Sequence, residues 1–522
     1  MLVEYGLIDS LFFLYVRGFV IREKFRVTVI LLAWSSKLLL RPKFMRIVCL
    51  GLIFVFQGCA LFPSERPVRE GSKQLELPEM WYNSGAGTEG QISTGWLNTF
   101  DDPEMLALVF EALERNQGIR ISEAQLKLAQ EALVFGRSPL LPRFSFSRSA
   151  SGSGTRVREE GGNLSPWRSS ESHGLTVNAS WEVDLWGRLR NLNRAAEYDY
   201  EAQKADFRGA RLALAATTAK AWCNLIASKQ QLALAHQTRE SFERNFRITE
   251  RNYKAGDSTA SPLSVQFAGN NVASAKRSVI SRQLALDEAK RALEILLGRY
   301  PATAIEARDE LPRLAESVPS GLPSELLMRR PDLAAAANDL LASAERATAS
   351  RKNLLPAINL SGSGRVNSER IADLFVDPTS IARSAAASLS QPVFQGGSLQ
   401  AQVRQAMIRN ELQLESFVST ALRAFREVES ALARDLSLAA QEEFLEVELS
   451  QASLAETQAN RDYSEGIVNI IQVLEAQRRA FNARNAAISL KNQRLQNRID
   501  LHLALGGDFA TQPEEFSDEV GE

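Results

Sequence analysis

The chain contains 522 residues with a formal net charge of −1, and 24% of its residues are charged and 8% aromatic. This near-neutral balance excludes nucleic-acid binding through bulk positive charge, so we expect no nucleic-acid partner. After residue 60 the sequence has no uncharged apolar run of about 18 residues, the length that a membrane-spanning helix requires.

The N-terminal part of the chain contains a secretory signal. A basic segment, 41–46, precedes an apolar stretch, 47–56, which is followed by Gln57 and then Gly58-Cys59. A small residue directly before a cysteine at the end of such a segment resembles a bacterial lipoprotein signal. Residues 45–58 are therefore predicted to be the signal peptide, with Cys59 as the lipidated first residue of the mature chain.

Residues 1–44 do not fit this signal, because their own apolar stretch is broken by several charges between Arg17 and Arg26. We interpret them as a mis-assigned start, with translation beginning at Met45, or as another segment absent from the mature protein. The alternative is a membrane helix from about Leu7 to Val20. Residues 59–100 are predicted to be an N-terminal extended segment.

The rest of the chain is a duplication. Tyr253 and Gly256 recur 210 residues later as Tyr463 and Gly466, and Leu297-Gly298 recurs as Leu505-Gly506 after a shift of two residues. Long runs of constant separation indicate two structural repeats, 101–298 and 323–506, with internal pseudo-symmetry.

The two repeats are flanked by irregular segments. Residues 299–322 contain three prolines, Pro301, Pro312 and Pro319, and are predicted to be a linker at the middle of the molecule. Residues 507–522 form a short acidic tail, which we expect to be solvated.

Each repeat is predicted to contain two strands. From Leu175 to Leu185 apolar and polar residues alternate strictly, which favours a strand with one apolar face. A membrane β-barrel and half of a soluble sandwich fit this strand equally well. Weaker counterparts follow Leu141-Pro142 and Leu355-Pro356 and precede Val393, with polar loops at 152–173 and 366–381.

Very long helices follow the strands. Helical spacing continues without proline from Gly187 to about Ala255 and from Gly397 to about Glu465, roughly 100 Å at 1.5 Å per residue. Shorter helices are predicted at 101–137, 259–297, 323–352 and 467–505, the first beginning at Pro103 behind an Asp101 or Asp102 cap. Stacked in pairs, the shorter helices match the long ones in length. We therefore predict four helical columns per chain, two continuous and two broken.

Catalysis finds no support in the sequence. The three histidines, His173, His236 and His502, lack metal-ligand spacing, and no phosphate loop or nucleophile elbow occurs. Cys223 lies in an alanine-rich helical stretch and is interpreted as a small buried residue. We expect no enzymatic activity, cofactor or metal.

These features together resemble the outer-membrane efflux protein family, the TolC-like channels, and within it the lipidated components of drug efflux pumps. The matching segments are 96–103, 180–190, 253–256, 322–332, 391–397 and 503–507. The resemblance implies an α+β membrane protein in which each chain of a homotrimer gives four strands to a twelve-stranded barrel and its helices to a periplasmic tunnel. It further implies a periplasmic adaptor and an inner-membrane pump as partners, and a lipid-anchored location in the outer membrane of a Gram-negative bacterium.

The resemblance also places the functional residues. The turns at Tyr253, Gly256, Tyr463 and Gly466 are similar to the periplasmic tips that adaptors engage. Related channels commonly have Asp after the turn, where this chain has Ser264 and Gln472. Asp257, Asp462 and Glu475 are the acidic gate candidates that remain nearby.

Three functions fit the sequence. The first is passive conduction of small toxic compounds as the exit of a tripartite efflux pump. The second is a similar channel for protein secretion, and the third is a periplasmic coiled-coil scaffold without a pore. The lipoprotein-like signal favours the first over the second, and the alternating strand argues against the third.

Overall fold

The computed structural model describes residues 80–82, 95–158, 161–162, 164–256, 260–314 and 329–507. The predicted signal peptide with Cys59, the segment 1–44, the gate candidate Asp257 and residues 508–522 of the acidic tail lie outside these residues.

Seven helices and four strands, besides short 3₁₀ turns, occur in the described part of the chain. In chain order they are α1 (Pro103–Arg115), α2 (Gln117–Arg137), β1 (Arg143–Thr155), β2 (Arg168–Val183), α3 (Arg188–Lys254), α4 (Pro262–Leu296), α5 (Pro331–Lys352), β3 (Ala357–Ser368), β4 (Ser380–Ser390), α6 (Ser398–Ser464) and α7 (Ile470–Ala504). The order helix, strand, strand, long helix, helix therefore occurs twice.

The four strands form one antiparallel sheet in the order β1-β2-β3-β4. The β1–β2 ladder runs from Arg143 opposite Ser180 to Thr155 opposite Arg168. The strands are thus longer than their apolar segments, and the predicted loops 152–173 and 366–381 are strand at both ends, up to Thr155 and from Arg168 in the first and up to Ser368 and from Ser380 in the second. Polar residues continue the ladder because backbone hydrogen bonds, unlike apolar packing, do not depend on the side chain.

The predicted first helix is broken at Asn116, where the sequence indicated continuity to Arg137. Asn116 has extended backbone angles, and its side chain accepts a hydrogen bond from Gly118 N at 2.8 Å, which starts a new helix. At the beginning of α1, the cap is Asp102, which accepts from the amides of Glu104 and Met105. Asparagine is a strong helix N-cap, so the break is encoded locally.

The long helices α3 and α6 each contain 67 residues, as their periodicity predicted to within two residues. Each starts after a glycine in the left-handed region, Gly187 at φ 73° and Gly397 at φ 82°. Their buried positions are rich in alanine, which allows close approach of neighbouring helices. Such positions include Ala215, Ala216, Ala219, Ala421, Ala424 and Ala431.

The shorter helices meet in two equivalent end-to-end junctions. At the first, the Asn116 side chain donates to the Leu296 carbonyl at the end of α4, at 2.8 Å. At the second, the Arg330 guanidinium donates to the Ala504 carbonyl at the end of α7, at 3.0 Å. Both donors satisfy a helix C-terminal carbonyl that has no partner within its own helix. The broken columns are thus α2 with α4 (21 and 35 residues) and α5 with α7 (22 and 35 residues). Each pair contains about ten residues fewer than a 67-residue long helix, so the predicted match in length is wrong, because α1 is a separate helix before the break at Asn116 and α5 begins only at Pro331.

The largest apolar core lies beside the first junction. Trp96, Phe100 and Trp222 are fully buried there, and Trp222 Nε1 donates to Asp102 Oδ2 at 3.0 Å. His502 stacks on Trp96 with 5.4 Å between ring centroids. Burial, and secondarily the charge of Arg498, lowers the pKa of His502 to about 4, so this imidazole is neutral at pH 7.

The junctions depend on glycine. Gly298 and Gly506, which end α4 and α7, both have φ +68°. A Cβ at Gly298 would lie 2.8 Å from the Arg115 carbonyl oxygen, and one at Gly506 would lie 3.2 Å from backbone atoms of Arg329 and Arg330. The repeated Leu-Gly pair is therefore explained by backbone angle and by close approach together.

We expect Gly298→Ala to destabilise the folded protein more than Gly256→Ala. Both substitutions put a side chain in the left-handed region, at a cost of about 1–2 kcal/mol. Only the first adds a clash with backbone, because a Cβ at Gly256 (φ +76°) meets nothing within 4 Å. Thermal unfolding of the detergent-purified variants, followed by circular dichroism, measures the difference. Equal melting temperatures would contradict the role assigned to the junction.

Candidate functional site

The long helices end in two turns of the same geometry. Gly256 has φ +76° and donates its N–H to the Tyr253 carbonyl at 3.1 Å, and Gly466 has φ +74° and donates to Tyr463 in the same way, at 3.1 Å. A side chain at either glycine would have open space around its Cβ. Backbone conformation alone therefore requires glycine here, since the chain must reverse direction.

The helices that follow the turns begin with side-chain caps. Ser261 and Ser264 form a reciprocal capping box at the start of α4, with 2.8 and 3.1 Å between backbone N and side-chain O atoms. Asn469 caps α7 by accepting from the amides of Ile471 and Gln472. Ser264 and Gln472, where related channels commonly have Asp, both occupy the third helical position. In this chain Ser264 is buried and stabilises the helix start, so it does not present a charge.

An apolar cluster joins the two hairpins close to the turns. Ala268 of α4 is buried together with Ile470, Val473 and Leu474 of α7. Tyr463 packs against this cluster, whereas Tyr253 is 45% exposed. The two predicted tips therefore have the same backbone conformation, but the tyrosine is packed at the second tip and exposed at the first.

Both gate candidates in the described part of the chain, Asp462 and Glu475, bind side chains of the same subunit. Asp462 accepts from the Gln458 side chain at 2.6 Å. Glu475, with its side chain 40% exposed, pairs with Arg478 at 2.7 Å and Arg479 at 2.8 Å. The hydrogen bond from Arg478, followed by that from Arg479, lowers the pKa of Glu475, so it stays ionised at neutral pH. Two arginines on one carboxylate leave this group of side chains with a net positive charge.

A buried polar network near the tips was not foreseen from the sequence. Asn245 Nδ2 of α3 donates to Gln477 Oε1 of α7 at 2.7 Å, and both side chains are buried. Gln477 Nε2 in turn contacts Ser241 Oγ at 3.1 Å and Asn460 Oδ1 of α6 at 3.3 Å. One amide thus connects three helices. The sequence signal that could have indicated this network is a polar residue, such as Gln477, at a helical position otherwise occupied by apolar residues.

The rest of the described structure offers no chemical site. No group of His, Cys, Asp and Glu side chains among the described residues could hold a metal ion. Burial raises the pKa of Cys223 to about 12, so this thiol is neutral and unreactive. Among the described helices, none is both long and apolar enough to cross a membrane.

Comparison with known proteins gives a consistent result. The family model described as "Outer membrane efflux protein" matches residues 108–299 and 322–507. Among curated relatives, the outer membrane protein OprJ of Pseudomonas aeruginosa is 31% identical over 461 residues, covering 87% of this chain and 93% of OprJ. The probable outer membrane lipoprotein SilC of Salmonella typhimurium is 25% identical over 468 residues, covering 89% of this chain and 99% of SilC.

Solved structures show the same fold. The open state of the Neisseria gonorrhoeae MtrE outer membrane channel superimposes with a TM-score of 0.72 at 27% identity, covering 84% of this chain and 98% of that one. The long helices and the four-stranded sheet are therefore those of a TolC-like channel subunit.

We expect Gln477→Ala to loosen the association of the two hairpins near the tips. The substitution leaves the buried Asn245 amide without its acceptor, at a cost of roughly 1–3 kcal/mol. Amide hydrogen exchange in α3 and α7 around these residues should become faster. Gln472→Ala is the matched control, since Gln472 lies on the same helix, is exposed and takes part only through its backbone. Identical exchange in the two variants would contradict the network's role.

Proposed function

Since this chain belongs to the outer membrane efflux protein family, we propose that three copies assemble into one continuous duct. The twelve strands would close a barrel in the outer membrane, and the helices would form a tunnel in the periplasm. The chain is the outer-membrane component of an efflux pump and a passive channel, not an enzyme.

The free edges of the sheet support assembly with other copies. β1 and β4 each pair on one side only among the described residues. Unpaired backbone groups are not tolerated in lipid, and known bacterial barrels have at least eight strands. Four strands therefore cannot form a barrel alone. Three copies give twelve strands, the number that the family resemblance implies.

The tips provide the surface proposed to meet a periplasmic adaptor, which links the channel to an inner-membrane pump that supplies the energy. Gly256 and Gly466 fix the turns, and Tyr253 and Tyr463 flank them. Asp462 and Glu475, with Asp257 outside the described residues, are the acidic groups proposed to lie at the gate. The Asn245–Gln477 network supports a closed arrangement, because it fastens neighbouring helices where a passage would open.

The proposed cargo is small toxic compounds, and the proposed anchor is a lipid on Cys59. The signal-like sequence before Cys59 supports the anchor, as does the description of the relative SilC as a lipoprotein. The match to an efflux family, together with the strand pattern, favours this function over protein secretion and over a scaffold without a pore.

We expect the purified mature protein to form trimers that conduct ions in a planar bilayer. Native mass spectrometry measures the assembly, and single-channel recording measures the conductance. A Gln477→Ala trimer should open more often than wild type, while Gln472→Ala should behave as wild type. Monomers without conductance would overturn the channel proposal.

We expect acylation at Cys59. A Cys59→Ala protein expressed in a Gram-negative host should no longer incorporate labelled palmitate, whereas Cys223→Ala, which removes a buried thiol, should be labelled like wild type. Continued labelling of the Cys59 variant would rule out this site.

A further inference from the structure

Two arginines interrupt the apolar face of the sheet. Alternate residues share a face, and the register places Phe146, Val177, Gly364 and Arg383 in one row across the four strands. The next row contains Arg148, Leu175, Val366 and Ile381. Arg148 and Arg383 therefore lie on the face that carries the exposed apolar side chains.

Neither arginine has a polar partner among the described residues of its own chain. Both residues are exposed, and neither forms a hydrogen bond or ion pair with another described residue. Arg365, on the opposite face of the sheet, differs in that its Nε donates to Asn367 at 2.8 Å. An unpaired charge on a lipid-facing strand is costly unless it reaches a polar partner.

The two arginines lie near the end of the apolar part of this face, where polar groups of the membrane surface are within reach. Below them the face continues as an apolar band through Phe144, Trp181 and Leu389. Above the row that contains Arg148 and Ile381 the same face becomes polar, with His173 opposite Ser368 and Glu171 beyond. Arg148 thus lies in the uppermost row of the apolar band and Arg383 in the row directly below it, on the side away from the helices.

Their distance from the helical side agrees with this placement. Arg148 is five residues from the start of β1, and Arg383 is seven residues from the end of β4. At about 3.4 Å per residue and a tilt of about 40°, Arg148 is roughly 13 Å above the start of β1 and Arg383 roughly 18 Å above the end of β4, two ends that are not level in the register. Exposed Leu141 and Phe394 extend the band below those ends. The long arginine stems carry the charges further towards the outer boundary of a band about 25 Å tall.

The two arginines also lie on the two edge strands, β1 and β4. In the closed trimer, on which this step rests, β4 of one copy is next to β1 of its neighbour. Each subunit boundary then carries one Arg148 and one Arg383 on its outer surface. We propose that this pair binds the phosphate groups of a lipid in the outer leaflet, with up to three equivalent sites per trimer.

The chemistry of the pair fits this ligand. Guanidinium groups form short, bidentate, charge-assisted hydrogen bonds with phosphate, and they are more weakly hydrated than ammonium groups. A phosphorylated lipid additionally covers the apolar side chains below the arginines with its acyl chains. A ligand that spans two subunits would stabilise the closed barrel at the subunit boundaries, since it binds the assembled trimer only.

The test uses purified wild-type trimer and bisphosphorylated lipid A in detergent, with bound lipid counted by native mass spectrometry. We expect the double variant Arg148→Gln/Arg383→Gln to bind lipid A at least about tenfold more weakly, because both sets of charge-assisted hydrogen bonds to phosphate are lost. The matched control is Arg143→Gln/Arg365→Gln, which removes the same charge from the opposite face and should bind like wild type. Equal affinity of the two double variants would overturn the proposal.

Two further measurements separate the alternatives. Inorganic phosphate at millimolar concentration should not displace lipid A, and complete displacement would show a site for free phosphate, contrary to the proposal. Trimer mass and conductance are recorded on the same preparations. Their absence in wild type would overturn the proposed function together with this site, whereas conducting trimers with unchanged lipid binding in the outer-face variant would overturn this site alone.

Discussion

The end-to-end junction between half-length helices is the interaction on which the architecture depends. A tube needs walls of equal height, yet each repeat also inserts two strands between its helices. In each repeat one long helix forms a continuous part of the wall, and two short helices leave room for the strands between them. The short helices complete the wall only if they meet end to end without a gap. The Asn116 amide and the Arg330 guanidinium do this by donating to Leu296 and Ala504, the carbonyls that a helix end leaves without a partner.

The largest buried side chains also lie close to the first junction. Long two-helix contacts bury only narrow stripes, and these are largely alanine in this chain. Near Asn116 the helix ends, the segment after Gly298 and the turn at Trp96 meet, so large side chains find enough neighbours to be fully enclosed. Glu294 contributes by accepting backbone hydrogen bonds from Thr303, Ala304 and Ile305, which holds the start of the interrepeat segment against the core. We therefore attribute stability mainly to the middle of the molecule, which leaves the tips free to rearrange.

Sequence patterns predicted the elements that depend on periodicity. The alternation from Leu175 to Leu185 indicated β2, and uninterrupted helical spacing indicated α3 and α6, because both patterns reflect which faces are buried. The break at Asn116 was missed because one capping amide outweighed a continuing helical pattern. The Asn245–Gln477 contact could not be predicted, since it joins residues 232 positions apart on different helices and depends on the packing of both. The outward arginines became evident only when the register fixed which residues share a face.

The two tips show how duplication and specialisation coexist. Gly256 and Gly466 preserve one backbone turn, since that geometry is imposed by the reversal of the chain. The side chains around them carry no such constraint: Ser261 and Asn469 cap by different chemistry, and Tyr463 is packed where Tyr253 is exposed. A partner that contacts only the turn backbone would meet equivalent sites at both tips. A partner that contacts the tyrosine rings would distinguish them, because exposing Tyr463 requires giving up its contact with the apolar cluster that joins the hairpins. Such a partner would therefore have to disturb the packing of Ala268, Ile470, Val473 and Leu474 at the second tip, whereas at the first tip the exposed Tyr253 could be contacted without that change.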